Sequence, residues 1–141
     1  MLRLLVPVNG SEHALDAVRH AAHMFLDHCV SDIVLLNVQE PLELGRAAAF
    51  HSVSALKDLS KKQGEAALKA ARGILDDAGA KYVAEIKVGA VAKTIAACAA
   101  TNRCDGIVMG TAGRSLVGAL VAGRLSNKLI RISSVPVTLV K

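Results

Sequence analysis

Residues 108–128, VMGTAGRSLVGALVAGRLSNK, hold four glycines, Gly110, Gly113, Gly118 and Gly123, with Arg114, Arg124 and Lys128 among them. Glycines let a backbone approach an anion closely and turn its N–H groups toward it. A helix starting near Gly123 would add free N–H groups and a positive dipole end. Gly110, Gly113 and Gly123 would then line one phosphate-sized hollow from two sides. The competing role is a turn with small residues for packing. Better-known phosphate loops do not match. A P-loop needs Lys and then Ser or Thr after its last glycine, whereas Arg124 and Leu125 follow Gly123. The dinucleotide pattern GxGxxG is absent, as are SGGxDS and HxGH.

The elements that must position this window can be read from periodicity. LRLLVPV (2–8) is a short apolar run ending at Asn9-Gly10, a buried strand and turn, and Ser11 is a good N-cap. Leu15, Val18, Ala22 and Phe25 recur at helical spacing to about His28. DIVLLNV (32–38) is a second buried strand that Pro41 stops, and 41–52 reads as a loop with a helical turn. From Ser54 a long amphipathic helix runs to Gly79, its cap, with Gly64 an awkward residue inside it. KYVAEIKV (81–88) alternates, as an edge strand does. AVAKTIAACAATN is a third helix and DGIVMG (105–110) a fourth strand. Residues from about 121 to 133 form the last helix, and VPVTLV (135–140) the last strand. Strands alternating with helices predict an α/β fold, a mostly parallel five-stranded sheet with helices on both faces. In such doubly wound sheets ligands sit beyond the carboxyl ends of the strands, where strand order reverses. The ends of the first and fourth strands carry the right residues if those strands are neighbours.

Composition narrows the function classes. A chain of 141 residues fits a single domain, 1–141, able to bury a core. Hydrophobic residues make up 52% and aromatics only 2%, so the core must be aliphatic, and the composition argues against base-stacking platforms for single-stranded nucleic acid. The net charge is +5, and no acidic residue follows Asp105, while Arg114, Arg124, Lys128, Arg131 and Lys141 do. That excess suits an anionic small ligand, or else forms a solvated surface with weak nonspecific affinity for DNA. No specific nucleic-acid partner is expected. Cys29, Cys98 and Cys104 show no CxxC spacing, which indicates small buried thiols rather than a disulfide framework or zinc site. No uncharged run approaches the roughly 18 residues of a membrane span. A cytoplasmic protein without membrane contact is the expectation.

LLVPVNGSEHALDAVRHA, VLLNVQEP, DGIVMGTAGRS and SVPVTLVK together resemble the universal stress protein family, over almost the whole chain. Its nucleotide-binding members carry Gly-x-x-Gly, nine residues, then Gly followed by Ser or Thr. Gly110, Gly113 and Gly123 match that spacing. The resemblance implies strand order 3-2-1-4-5, as in adenine nucleotide alpha-hydrolase-like folds, and binding of ATP or AMP, with or without Mg²⁺. It places Pro7, Val8 and Asn9 by the adenosine and Val38 by the adenine. Met109, Gly110, Gly113 and Gly123 would surround phosphates and ribose, and Leu125 and Ser126 would offer amide and hydroxyl groups. Two residues depart from the pattern. Asn9 replaces the usual Asp, losing a charge while adding a donor. Arg124 replaces the Ser or Thr, trading a hydroxyl for a planar cation that would clamp a terminal phosphate, fill an empty pocket or point to solvent. The resemblance further implies a homodimer through the last strand, with Val135, Val137 and Leu139 near the contact.

Other candidates have plainer roles. His13, Asp16, His20, His23 and Asp27 could form a metal ladder along the first helix, but helical periodicity alone gathers polar residues there. His51 is an ordinary loop histidine over the ligand mouth. Cys98 packs inward with Ile95, while Cys104, before a strand, could be exposed. Thr111 and Ser115 cap turns more readily than they bind phosphate. Asp105 lies at the wrong end of its strand for chemistry. No catalytic residues are assigned. The leading expectation is a stress-response binder or switch for an adenine nucleotide. The alternatives are a nucleotide-free dimeric interaction protein with a disabled pocket, and a slow ATPase.

Overall fold

A computed structural model describes residues 1–41, 53–111 and 116–141, and their side chains except at 53, 54, 56 and 116–122. The elements are β1 (Leu2–Pro7), α1 (Glu12–Leu26), β2 (Val30–Gln39), α2 (Val53–Asp77), β3 (Tyr82–Val88), α3 (Val91–Thr101), β4 (Gly106–Gly110), α4 (Leu116–Ile132) and β5 (Val137–Val140). The expected turn within 41–52 lies outside the described residues except at Pro41. The five strands form one sheet in the order β3-β2-β1-β4-β5, and every pairing is parallel. This is the anticipated doubly wound order. β3 lies at one edge, as its alternation indicated.

Each strand side chain chooses a face by parity. Leu4, Val6, Ile33 and Leu35 point to the side covered by α1 and α2, where Val18, Leu68 and Leu75 complete a cluster. Leu5, Val34, Leu36, Ile107 and Met109 point to the other side and meet Ile95, Ala99 and Leu129 of α3 and α4. Burial on both faces explains why β1, β2 and β4 read as continuous apolar runs.

Two glycines of α2 behave oppositely. A Cβ on Gly64 would lie 2.8 Å from Ile86 of β3, so this glycine lets the helix approach the sheet edge. Nothing lies within 4 Å of a Cβ on Gly73. Gly73→Ala should therefore raise stability by up to about 1 kcal/mol through helix propensity. Gly64→Ala gains the same term but meets a stiff β-branched side chain, an overlap costing about 1–3 kcal/mol. Urea denaturation of the two variants should give midpoint shifts of opposite sign.

The rim opposite the strand carboxyl ends is closed by three like-built helix ends. His28, Gly79 and Arg103 take positive φ. Their amides and the next ones bond back into the helix, as in Cys29 N to Met24 O at 2.9 Å, Ala80 N to Leu75 O at 2.9 Å and Cys104 N to Ala99 O at 2.8 Å. Gly79 is the cap its position suggested. Arg3 crosses this rim. Its Nε donates to both Asp32 oxygens at 3.1 and 3.0 Å, and its Nη1 donates to the Asn102 carbonyl at 2.8 Å. Asp105 accepts from the Arg3 amide at 2.8 Å, tying the start of β4 to β1 at the rim opposite the strand carboxyl ends. The Arg3 hydrogen bond holds the Asp32 carboxyl below its ordinary value. A carboxylate depressed in the folded state contributes stability above its unfolded pKa of about 3.9 and loses it as pH falls through the folded value. The melting-temperature gap between wild type and Asp32→Asn should accordingly be widest near neutrality and narrow as pH falls below the unfolded carboxylate value of about 3.9, in melts followed by circular dichroism.

Candidate functional site

β1 has β2 on one side and β4 on the other, so strand order reverses at β1, and a cavity of about 220 Å³ opens at the carboxyl ends there. The end of β1 and its turn supply Pro7, Val8, Asn9 and Ser11, and α1 supplies Ala14. Leu36 and Val38 come from β2, Val91 and Ile95 from α3, Met109 and Gly110 from β4, and Leu125 from α4. No charged side chain is among these lining residues; Asn9 and Ser11 bring the polar ones.

The β1 turn is built by local hydrogen bonds. The Val8 amide donates to the Leu36 carbonyl at 2.8 Å, continuing the β1–β2 ladder past Pro7. Asn9 Oδ1 accepts from the Ser11 amide at 3.0 Å, an Asx turn around Gly10, whose φ of +87° suits glycine. Ser11 then caps α1, its hydroxyl accepting from the Ala14 amide at 3.3 Å. Asn9 Oδ1 is thus engaged in the turn, and its Nδ2 is the side chain's donor group.

Gly110 takes the packing role that stood as the alternative to a phosphate hollow. A Cβ there would fall onto the backbone carbonyl of His13, in the first turn of α1. β4 and α1 meet backbone to backbone at this point. Thr111 turns to the sheet edge instead: its amide donates to the Val140 carbonyl at 2.9 Å and its hydroxyl to the same oxygen at 3.3 Å.

The last helix differs from the sequence expectation. α4 begins at Leu116, not near Gly123, so Gly123 lies inside the helix, where a backbone N–H has an intrahelical partner. Leu125 and Leu129 of this helix pack on the α3–α4 side of the sheet, and such burial outweighs a helix penalty of about 1 kcal/mol for Gly123. Gly123 and Ser126 stand off the cavity wall, and so does the exposed Arg124. Ser126 is buried, and its hydroxyl reaches the Gly123 carbonyl at 3.4 Å. Gly113 lies outside the described residues, as do His51, Arg114 and Ser115. Pro7, Val8, Asn9, Val38, Met109, Gly110 and Leu125 share one cavity wall. Ser11, Ala14, Leu36, Val91 and Ile95 join them without having been singled out as site residues. Ser11 as the N-cap after the first strand and the inward pairing of Ile95 with Cys98 were the sequence signals among them.

The remaining candidates also find places. Asp16 pairs with Arg19 at 2.9 Å, and among the described residues no group of three His, Cys, Asp or Glu side chains is placed to hold a metal ion. Cys98 is buried and donates to Glu85 Oε2 at 3.0 Å; burial and that carboxylate push its thiol up to about 12. Cys104 is buried rather than exposed, because it follows the left-handed Arg103 and turns back under α3; burial raises its thiol to about 11. Both are poor nucleophiles at neutral pH. Cys29, expected inside, is exposed. Val135 and Val137 pack against the α3–α4 cluster, while Leu139 is 42% exposed. Among the described residues no helix is long and apolar enough to cross a membrane.

Known proteins share this architecture. Universal stress protein MJ0531 of Methanocaldococcus jannaschii is 28% identical over 141 residues, covering 99% of this chain and 81% of the relative. A universal stress protein in complex with cAMP superposes with a TM-score of 0.76 at 22% identity, covering 99% of this chain and 97% of that one. A universal stress protein family protein from Arabidopsis thaliana with AMP bound gives 0.72 at 21% identity, covering 100% and 92%. Likeness at such identities speaks for the fold. The model of the universal stress protein family matches residues 1–141, and with the fold and the cavity at the strand-order reversal, the chain belongs to that family.

Proposed function

We propose that this protein binds an adenine nucleotide in the cavity between the ends of β1 and β4, acting as a binding module or switch in a stress response. The observation that carries the reading is an uncharged, largely aliphatic hollow at the strand-order reversal, with polar side chains at one end. At about 220 Å³ it falls below the roughly 300–1,000 Å³ of pockets that enclose a whole small ligand. It suits a base and sugar, with phosphates outside at the rim. Support comes from the two structural neighbours, which hold AMP and cAMP and so share an adenosine with one phosphate.

In this reading adenine lies against Val38, with Pro7, Val8 and Asn9 along the nucleoside. Met109 and Gly110 form the floor. Gly113, Gly123, Arg124, Leu125 and Ser126 belong to the phosphate side, where Arg124 meets a terminal phosphate and Mg²⁺ accompanies the longer nucleotides. The described cavity wall holds no titratable side chain, so it offers binding surface rather than a general base. Any hydrolysis of ATP is slow. Two copies pair through the edge strand β5 with Leu139 at the contact.

A second reading, a nucleotide-free interaction protein, draws on Gly123, Arg124 and Ser126 standing off the cavity. One experiment separates the two. Purified protein is denatured and its supernatant run on an ion-exchange column with ultraviolet detection, and folded protein is titrated with AMP, cAMP and ATP in a thermal-shift assay. Released adenine nucleotide, or a melting-temperature rise with added nucleotide, supports binding. Ligand at a hundred times its Kd adds about 2.7 kcal/mol. No released nucleotide and no shift with all three ligands would sink the reading.

A further inference from the structure

β2 is apolar on both faces through Ile33, Val34, Leu35 and Leu36, all buried, and then places Asn37 at 2% exposure. Asn37 and Ser126 are the buried polar residues among those described. A buried amide is costly unless its hydrogen bonds are made, and a leucine of similar shape would continue the strand without that need. Asn37 makes its bonds. Nδ2 donates to the Val8 carbonyl at 2.8 Å, and Oδ1 accepts from Gln39 Nε2 at 2.6 Å. A carbonyl can only accept, so the first bond fixes which way the amide faces.

Val8 lies one residue beyond the end of β1. Its N–H is held by Leu36 and its C=O by Asn37, so both of its backbone polar groups are pinned to β2. The Asx turn that presents Asn9 and Ser11 to the cavity starts at the next residue. Asn37 itself is absent from the cavity wall; its neighbours Leu36 and Val38 point there, and strand parity sends Asn37 to the opposite face.

We infer that Asn37 is a positioning residue of the nucleotide site, holding the 8–11 backbone at the height that places Asn9 and Ser11 against the ligand. This rests on the ligand reading above. The test compares Asn37→Leu and Asn37→Asp, which keep the shape of the side chain and remove the donor, with Leu75→Ala, a core change under α2. AMP and adenosine affinities are measured by calorimetry on folded protein. The backbone shifts and amide exchange of Val8–Ser11 are measured by NMR without ligand. Both Asn37 variants should bind AMP and adenosine at least tenfold more weakly. The Ser11 amide should exchange at least tenfold faster than in wild type, with backbone shifts confined to the β1 turn. Leu75→Ala should leave both affinities within twofold. A folded Asn37 variant with wild-type affinity and a protected Ser11 amide overturns the inference. If Asn37→Leu fails to fold, Asn37→Asp decides. If wild type binds no adenine compound, the ligand reading fails, and Ser11 exchange alone still decides whether Asn37 holds the turn.

Discussion

Gly110→Ala is expected to lose the native fold, or to retain it only with stability reduced by more than about 4 kcal/mol. The added methyl would occupy the place of the His13 carbonyl, and the next atoms it meets are also backbone. A side chain can change rotamer to relieve such an overlap, but a helix backbone cannot. The first turn of α1 would have to lift from β4, exposing the buried Ala14, Leu15 and Val18 behind it. Interiors packed at crystal-like density transmit such a displacement instead of absorbing it. Gly123→Ala, at the other end of the same glycine motif, should do the reverse. It lies within a helix, and a Cβ there has Asn127 Nδ2 at 3.8 Å as its nearest neighbour, so stability should rise by up to about 1 kcal/mol. Circular dichroism melts of the two variants check both results. Gly110→Ala melting like wild type would refute the packing account.

Val38→Trp should abolish nucleotide binding while leaving the protein folded. Val38 is half-buried at the end of β2, faces the cavity and packs beside Leu36 and Ile95. An indole is compatible with a strand position and would occupy much of the space proposed for adenine. The expected loss of AMP affinity is at least about a hundredfold, near 2.7 kcal/mol. Calorimetry with AMP provides the measurement, with a thermal melt to establish folding. Folded Val38→Trp that binds AMP like wild type would place the nucleotide elsewhere.

The fold was legible because its signals are local and repeated. Runs such as LLVPV and DIVLLNV allow a doubly buried strand, and the helices between them keep a helical apolar period. The site was only partly legible. Pro7, Val8 and Asn9 adjoin a visible turn, and Val38, Met109 and Gly110 close visible strands. Ala14, Val91 and Ile95 reach the cavity through helix placement, which depends on contacts distant in sequence. Gly110 illustrates the limit most clearly: a glycine that admits an anion and one that admits another backbone have the same letter. Asn37 did leave a trace, as a polar residue directly after the apolar run Ile33–Leu36, but its partner Val8 is 29 positions away. The start of α4 was expected near residue 121 and lies at Leu116, because Gly123 was read as the helix start whose free amides would face an anion.

The cavity touches both hydrophobic clusters. Val8 and Ala14 belong to the α1–α2 side, and Leu36, Ile95 and Met109 to the α3–α4 side. An occupant there would brace two layers that otherwise communicate through the sheet. The molecule's survival against proteases would then track the concentration of that small molecule, because only the folded form can hold it. With the proposed adenine nucleotide as that occupant, abundance itself would become a gauge of the cell's adenylate pool, with no chemical reaction required.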